Sequence, residues 1–123
     1  MTLLVWVEVP VKNIERAARF YEAVLDLPES EISDDGVRRT AILYGGSQDG
    51  KAGISLNQTK DFEPSDKGVY VYLNAGADLS EHLLRVEPAG GKIITGKTSM
   101  GAAGFYASFL DTEGNLLGLY SPQ

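Results

Sequence analysis

Val5, Val7 and Val9 fall on one side of an extended N-terminal segment, and Trp6 and Glu8 fall on the other. That period of two predicts a β-strand, closed by Pro10. Asn13 is a good helix cap. After it, Ile14, Ala17, Ala18, Tyr21, Val24 and Leu25 recur at helical spacing, with Glu15, Arg16, Arg19 and Glu22 mostly on the opposite side. Pro28 ends the helical region. Three strands are predicted next, Glu29–Ser33, Val37–Tyr44 and Lys51–Asn57. They are joined through Asp35-Gly36 and Asp49-Gly50, dipeptides that favour hairpin turns.

The polar stretch Gln58–Lys67, with Pro64, has the composition of a linker. The same order of elements then returns. Val69–Asn74 reads as a strand with Val69, Val71 and Leu73 on one face and Tyr70 and Tyr72 on the other. Asp78 or Ser80 caps a short helix carrying Leu79, Leu83, Leu84 and Val86, and Pro88 and Gly90-Gly91 end it. Lys92–Thr95, Phe105–Leu110 and Leu116–Tyr120 are the remaining strands, the last two joined by a turn at Asp111–Asn115. Strand, helix and three strands thus occur twice, as an order of elements with little identity between the halves. The predicted class is α+β, a single domain of residues 1–123 made of two βαβββ modules (1–57 and 68–123) with a linker at 58–67. Each antiparallel half has one apolar face and one covering helix. Side by side, the halves form a curved, mixed, eight-stranded sheet whose concave side is a cleft.

Composition narrows the function. The chain of 123 residues suffices for one domain with its own core. It has no cysteine, which excludes disulfides, thiolate metal sites and a cysteine nucleophile. The net charge of −6 opposes binding to a phosphate backbone, so no nucleic-acid partner is expected. Glu8 interrupts the first apolar run and no basic segment precedes it, which argues against a signal peptide. No run is long enough to span a membrane. A cytoplasmic location is expected.

Three segments carry a family resemblance. Val7-Glu8-Val9-Pro10-Val11, with Ile14-Glu15-Arg16-Ala17 and Phe20-Tyr21-Glu22-Ala23-Val24-Leu25, is similar to the opening strand and helix of the vicinal-oxygen-chelate superfamily (glyoxalase, bleomycin-resistance and dioxygenase proteins). Gly68–Asn74, ahead of a short helix and Gly90-Gly91, resembles the start of its second module. Phe109-Leu110-Asp111-Thr112-Glu113-Gly114-Asn115 with Leu116–Ser121 resembles its closing hairpin. The resemblance implies the two-module fold, a small-molecule ligand and a homodimer. It also implies, in metal-dependent members, a His or Glu on the first, fourth, fifth and eighth strands. Here the matching positions are Trp6, Ser55, Tyr70 and Gly118, and only Glu8, two residues along the same face from Trp6, is a plausible ligand. One carboxylate among aromatic and small residues does not hold a transition metal. No metal and no cofactor are therefore expected.

The candidate ligand-binding residues are Trp6, Glu8, Ser55, Tyr70, Tyr72 and Tyr120. Aromatic walls with one carboxylate suit a planar or cationic small molecule, by stacking and cation–π contact. The resemblance then implies a metal-independent binder, like the antibiotic-sequestering members of the family. The alternative is a metal-dependent lyase, isomerase or dioxygenase whose ligands lie elsewhere, and a non-enzymatic partner subunit is a third reading. Trp6 is equally suited to the core. Glu8 is either a cavity carboxylate with a raised pKa, able to act as a base, or the partner of Arg38 or Arg39. The glycines at 96, 101 and 104 belong to a hairpin connection or a lid. His82, the only histidine, is expected on the solvent side of the second helix.

Overall fold

The computed structural model describes residues 3–46 and 50–123. The second predicted Asp-Gly turn therefore lies partly outside the described residues, at Asp49. The elements run β1 (Trp6–Pro10), α1 (Ile14–Leu25), β2 (Ile32–Asp34), β3 (Arg38–Tyr44), β4 (Gly53–Thr59), β5 (Tyr72–Asn74), α2 (Ser80–Val86), β6 (Lys92–Ser99), β7 (Phe105–Leu110) and β8 (Leu116–Ser121), with a short 3₁₀ turn at Gly101–Ala103. The α+β class and the doubled βαβββ order are those read from the sequence. The eight strands are divided into two hydrogen-bonded sheets of four, ordered β1-β4-β3-β2 and β5-β8-β7-β6.

The duplication extends to individual pairings. In each module the first strand runs parallel to the fourth, with Val9 opposite Leu56 and Leu73 opposite Leu119. Each ladder ends on the same bond. The Val11 N–H donates to the Asn57 carbonyl at 3.0 Å, and the Ala75 N–H to the Tyr120 carbonyl at 2.9 Å.

The Asn13 side chain caps α1 by accepting from the Arg16 N–H at 3.1 Å. The helix closes on Asp26 in the left-handed region (φ 55°), two residues before Pro28. Neither candidate caps α2: the N-cap position is Leu79, which has no side-chain cap bond, and Asp78 accepts from the Ser80 N–H at 2.9 Å from one residue further out. Several strand boundaries move, and β4 spans Gly53–Thr59 where Lys51–Asn57 was expected. β2 starts at Ile32, β5 is confined to Tyr72–Asn74, and β6 runs on to Ser99. Short edge strands such as β2 and β5 pair on one side only, so apolar alternation outruns the ladder at their ends.

One core serves both modules. Val9, Ile14, Phe20, Tyr21 and Leu56 from the first join Leu79, Val86, Phe109 and Leu119 from the second, all buried. Each such side chain contributes about 1.5–3 kcal/mol on burial. Arg85 of α2 donates twice to the Val24 carbonyl at the end of α1, at 3.1 and 3.0 Å. Gly91 is required where β6 begins, because a Cβ there would lie 2.7 Å from the Phe20 ring and 2.6 Å from the Leu110 carbonyl.

The turn 111–115 fastens the second module to the first. Buried Asp111 accepts from the Tyr21 hydroxyl at 2.6 Å and from the Asn115 side chain at 3.0 Å. Asn115 also donates to the Pro10 carbonyl at 2.8 Å and accepts from the Ser65 N–H at 3.0 Å, which holds the linker. Glu113 accepts from the Lys12 and Asn13 N–H groups at 2.9 and 2.8 Å and from Arg16 at 2.7 Å. The sequence had marked this run only as a turn.

Candidate functional site

Strand alternation places the core residues of each sheet on one face and the candidate site residues on the other. On the first sheet that other face carries Trp6 and Glu8 of β1, Ser55 and Asn57 of β4, and Arg38 and Thr40 of β3. These six form one hydrogen-bonded chain. The Trp6 indole N–H donates to Ser55 Oγ at 3.0 Å, and Asn57 Nδ2 donates to the same oxygen at 2.9 Å. Asn57 Oδ1 accepts from Thr40 Oγ1 at 3.2 Å and from Arg38 Nη1 at 3.3 Å, and the same Nη1 donates to Glu8 Oε2 at 2.8 Å. Ser55 and Asn57 are buried, so this pairing offsets the desolvation of their polar groups.

Glu8 is thus the partner of Arg38, the structural alternative left open above. Its side chain is 45% exposed. It is therefore neither isolated nor desolvated, as the cavity-carboxylate alternative required. Trp6 is 39% exposed, so it is not a core residue. Its ring lies over Gly53, where any Cβ would collide with it.

The second sheet presents tyrosines. Tyr70 and Tyr72 stack at 6.0 Å between centroids and 17° between planes, and Tyr106 meets Tyr72 edge-on at 6.3 Å and 84°. Tyr72 covers Gly118 as Trp6 covers Gly53, and a Cβ at Gly118 would overlap the phenol ring. The Tyr120 hydroxyl donates to the Ala103 carbonyl at 2.6 Å. With the Met100 N–H bond to the Gly104 carbonyl at 2.7 Å, that contact makes the glycine-rich segment a pinned hairpin connection.

A cleft of about 510 Å³ lies between β1 and the segment leading into β5, within the usual range for a small-molecule site. Trp6, Glu8, Tyr70 and Tyr72 line it, with Leu4 and Lys67 at the sides. Four of the six predicted residues therefore meet. Ser55 lies beneath the Trp6 indole, and Tyr120 faces a shallower depression on the other side of Tyr72, with Asn74 and Gly76. Sequence reasoning offered Arg38 as one of two possible partners of Glu8, and it missed Asn57 and Tyr106. The signal was available for Asn57, two residues from Ser55 on the same strand face.

His82 departs from expectation. It is half-buried on α2, and its Nδ1 has no hydrogen-bond partner among the described residues. Burial, and after it the nearby Arg85, lowers its pKa.

The four positions matching the family's metal ligands do not fit an ion. An indole N–H has no free lone pair and a glycine has no side-chain donor. Tyr70 is a phenol, and Ser55 Oγ already receives two hydrogen bonds. Among the described residues no three His, Cys, Asp or Glu side chains converge on a metal-sized site. Among the described residues no helix is long and apolar enough to cross a membrane.

Comparisons with known proteins agree with this architecture. Glyoxalase I from Zea mays superposes with a TM-score of 0.74 at 25% identity, over 95% of this chain and 45% of that one. The chain thus spans about half the length of the maize protein. A glyoxylase/bleomycin resistance protein/dioxygenase domain from Frankia sp. EAN1pec gives a TM-score of 0.76 at 18% identity, covering 100% and 93% of the two chains. A glyoxalase/bleomycin resistance protein from Albidiferax ferrireducens T118 gives 0.70 at 15%, covering 99% and 100%. At those identities the last two attest the fold alone. No protein of curated function matches the chain significantly. The sequence model of the superfamily matches residues 3–119, and the chain belongs to the Glyoxalase/Bleomycin resistance protein/Dioxygenase superfamily.

Proposed function

We propose that this protein is a metal-independent small-molecule binder of the glyoxalase/bleomycin-resistance type, acting in the cytoplasm. The observation that carries the reading is the replacement of the family's four ligand positions by Trp6, Ser55, Tyr70 and Gly118, locked by the indole–hydroxyl bond and by the Tyr72 ring. A metal-dependent glyoxalase or dioxygenase uses its ion as a Lewis acid or oxygen binder, and this donor set cannot supply one. The cleft instead offers the faces of Trp6, Tyr70 and Tyr72, which suit a planar ligand.

A homodimer is part of the proposal. Leu3, Val5, Ile42 and Tyr44, none of which lines the cleft, are all more than 40% exposed. An apolar surface of that extent is the kind that a second copy covers. A chain half the length of maize glyoxalase I is compatible with two copies completing an equivalent assembly.

The test uses Trp6, the only tryptophan, as reporter. Elemental analysis follows dialysis against nickel, zinc, iron(II) and manganese, and Trp6 emission is then titrated with planar aromatic compounds. The reading expects no retained ion and a saturable emission change that Tyr72→Ala weakens. Near-stoichiometric metal would overturn it in favour of the metal-dependent enzyme. Light scattering at a dimer mass would support the assembly, and a monomer mass would refute it.

A further inference from the structure

The cleft is bounded by two sheet edges as well as by aromatic side chains. β1 is the outer strand of the first sheet and β5 that of the second. In a parallel pair, alternate residues turn both backbone groups toward the neighbouring strand. The Gly53 N–H bonds to the Val5 carbonyl and the Val11 N–H to the Asn57 carbonyl. Val7 and Val9 therefore face β4, and the N–H and C=O groups of Trp6 and Glu8 point out of the sheet. By the same logic the Gly118 bond to the Val71 carbonyl and the Ala75 bond to the Tyr120 carbonyl leave Tyr70 and Tyr72 with outward backbone groups. These four residues line the cleft. No ladder joins β1 to β5.

Charge separates the candidate ligands. The one carboxylate in the wall, Glu8, is neutralised by Arg38. Lys67 is held by Asp66 and is 86% exposed. A cationic ligand thus finds no uncompensated charge, although the protein as a whole carries −6. What the cleft leaves unmatched is alternating amide N–H and C=O groups beside flat rings.

We propose that the ligand is a neutral, extended, amide-bearing molecule with an aromatic group, read by hydrogen bonds to the open edges of β1 and β5 while its ring stacks on the Trp6–Tyr72 walls. This rests on the binding function proposed above and narrows its ligand class to peptide-like compounds. Strand addition to an exposed edge is a general mode of amide recognition. Here two edges flank one cleft, so one extended ligand engages both modules.

The test compares the blocked dipeptide N-acetyl-Phe-Val-amide with 2-phenylethanol, which keeps the ring and lacks the amides. Amide hydrogen exchange is followed by NMR on the full chain, alongside Trp6 emission. The dipeptide is expected to slow exchange at the Glu8 and Tyr72 N–H groups by about tenfold, leaving Val7 and Val9 unchanged. Glu8→Pro deletes the open-edge donor without touching the β4 ladder. Dipeptide binding is expected to fall about tenfold further in that variant than in Glu8→Ala. Equal emission changes with both probes, and no protected edge amide, would overturn this inference and leave the binding function intact. No response to either probe would overturn both. Where Glu8→Pro fails to fold, the exchange measurement on the unaltered chain decides.

Discussion

Glu113 offers the sharpest quantitative test of how the modules are joined. Burial alone would raise its pKa, but Arg16, the Asn13 N–H, Thr112 and the Lys12 N–H together hold it down to about 2, from an ordinary 4.5. The difference, 4.5 less about 2, is about 2.5 pKa units, or at most ~3.4 kcal/mol at 1.36 kcal/mol per unit. Arg16 is 52% exposed, so solvent screening reduces the usable figure to about 2 kcal/mol. Because the folded-state pKa is depressed, this stability is complete above about pH 4.5 and is lost as pH falls toward 2. Glu113→Gln keeps the shape and one carbonyl acceptor but removes the charge. Urea unfolding followed by Trp6 emission should place the variant about 2 kcal/mol below the parent at pH 7. The two curves should converge near pH 2, where the parent carboxylate is also protonated. A gap of the same size at both pH values, or none at pH 7, would refute the electrostatic account.

Other expectations follow from the same contacts. Tyr21→Phe removes the hydroxyl that donates to buried Asp111 and should cost about 1–3 kcal/mol, read as a lower denaturation midpoint; an unchanged midpoint would mean that water replaces the phenol. Gly118→Ala should displace the Tyr72 ring and destabilise the fold by about 1–3 kcal/mol, with most of the loss recovered in Gly118→Ala/Tyr72→Ala. Absence of that recovery would place the strain elsewhere. The ring protons of His82 should titrate below the ordinary value of 6.5. Since its folded-state pKa is depressed, its contribution to stability is present above pH 6.5 and is lost as pH falls through its lowered pKa. His82→Leu should therefore gain on the parent at pH 5, as judged by thermal unfolding, and a midpoint gap independent of pH would count against this.

The element order was legible because each module writes its periodicity plainly. Val5, Val7 and Val9 alternate, Ile14 to Leu25 keep helical spacing, and Asn13 and Pro28 mark the ends. Those signals are local, and local sterics and burial generate them. The same alternation put Trp6, Glu8, Tyr70 and Tyr72 on the faces where they stand. Edge strands were less legible, since their length depends on whether a neighbour supplies a ladder, as at β2 and β5.

The sequence by itself determined the α+β class, the duplicated order of elements and the absence of thiol chemistry. Those follow from residue identity and short-range pattern. Tertiary structure decided the rest. Ser55 was taken below the indole, and Tyr120 was turned away to the far side of Tyr72. Glu8 was paired with Arg38 across an intervening strand, and Glu113 was brought to the N-terminus of a helix 97 residues away from it at Arg16. Pairings of that kind depend on strand order and on where a charge or hydroxyl finds its partner once water has been excluded. No local pattern encodes that choice.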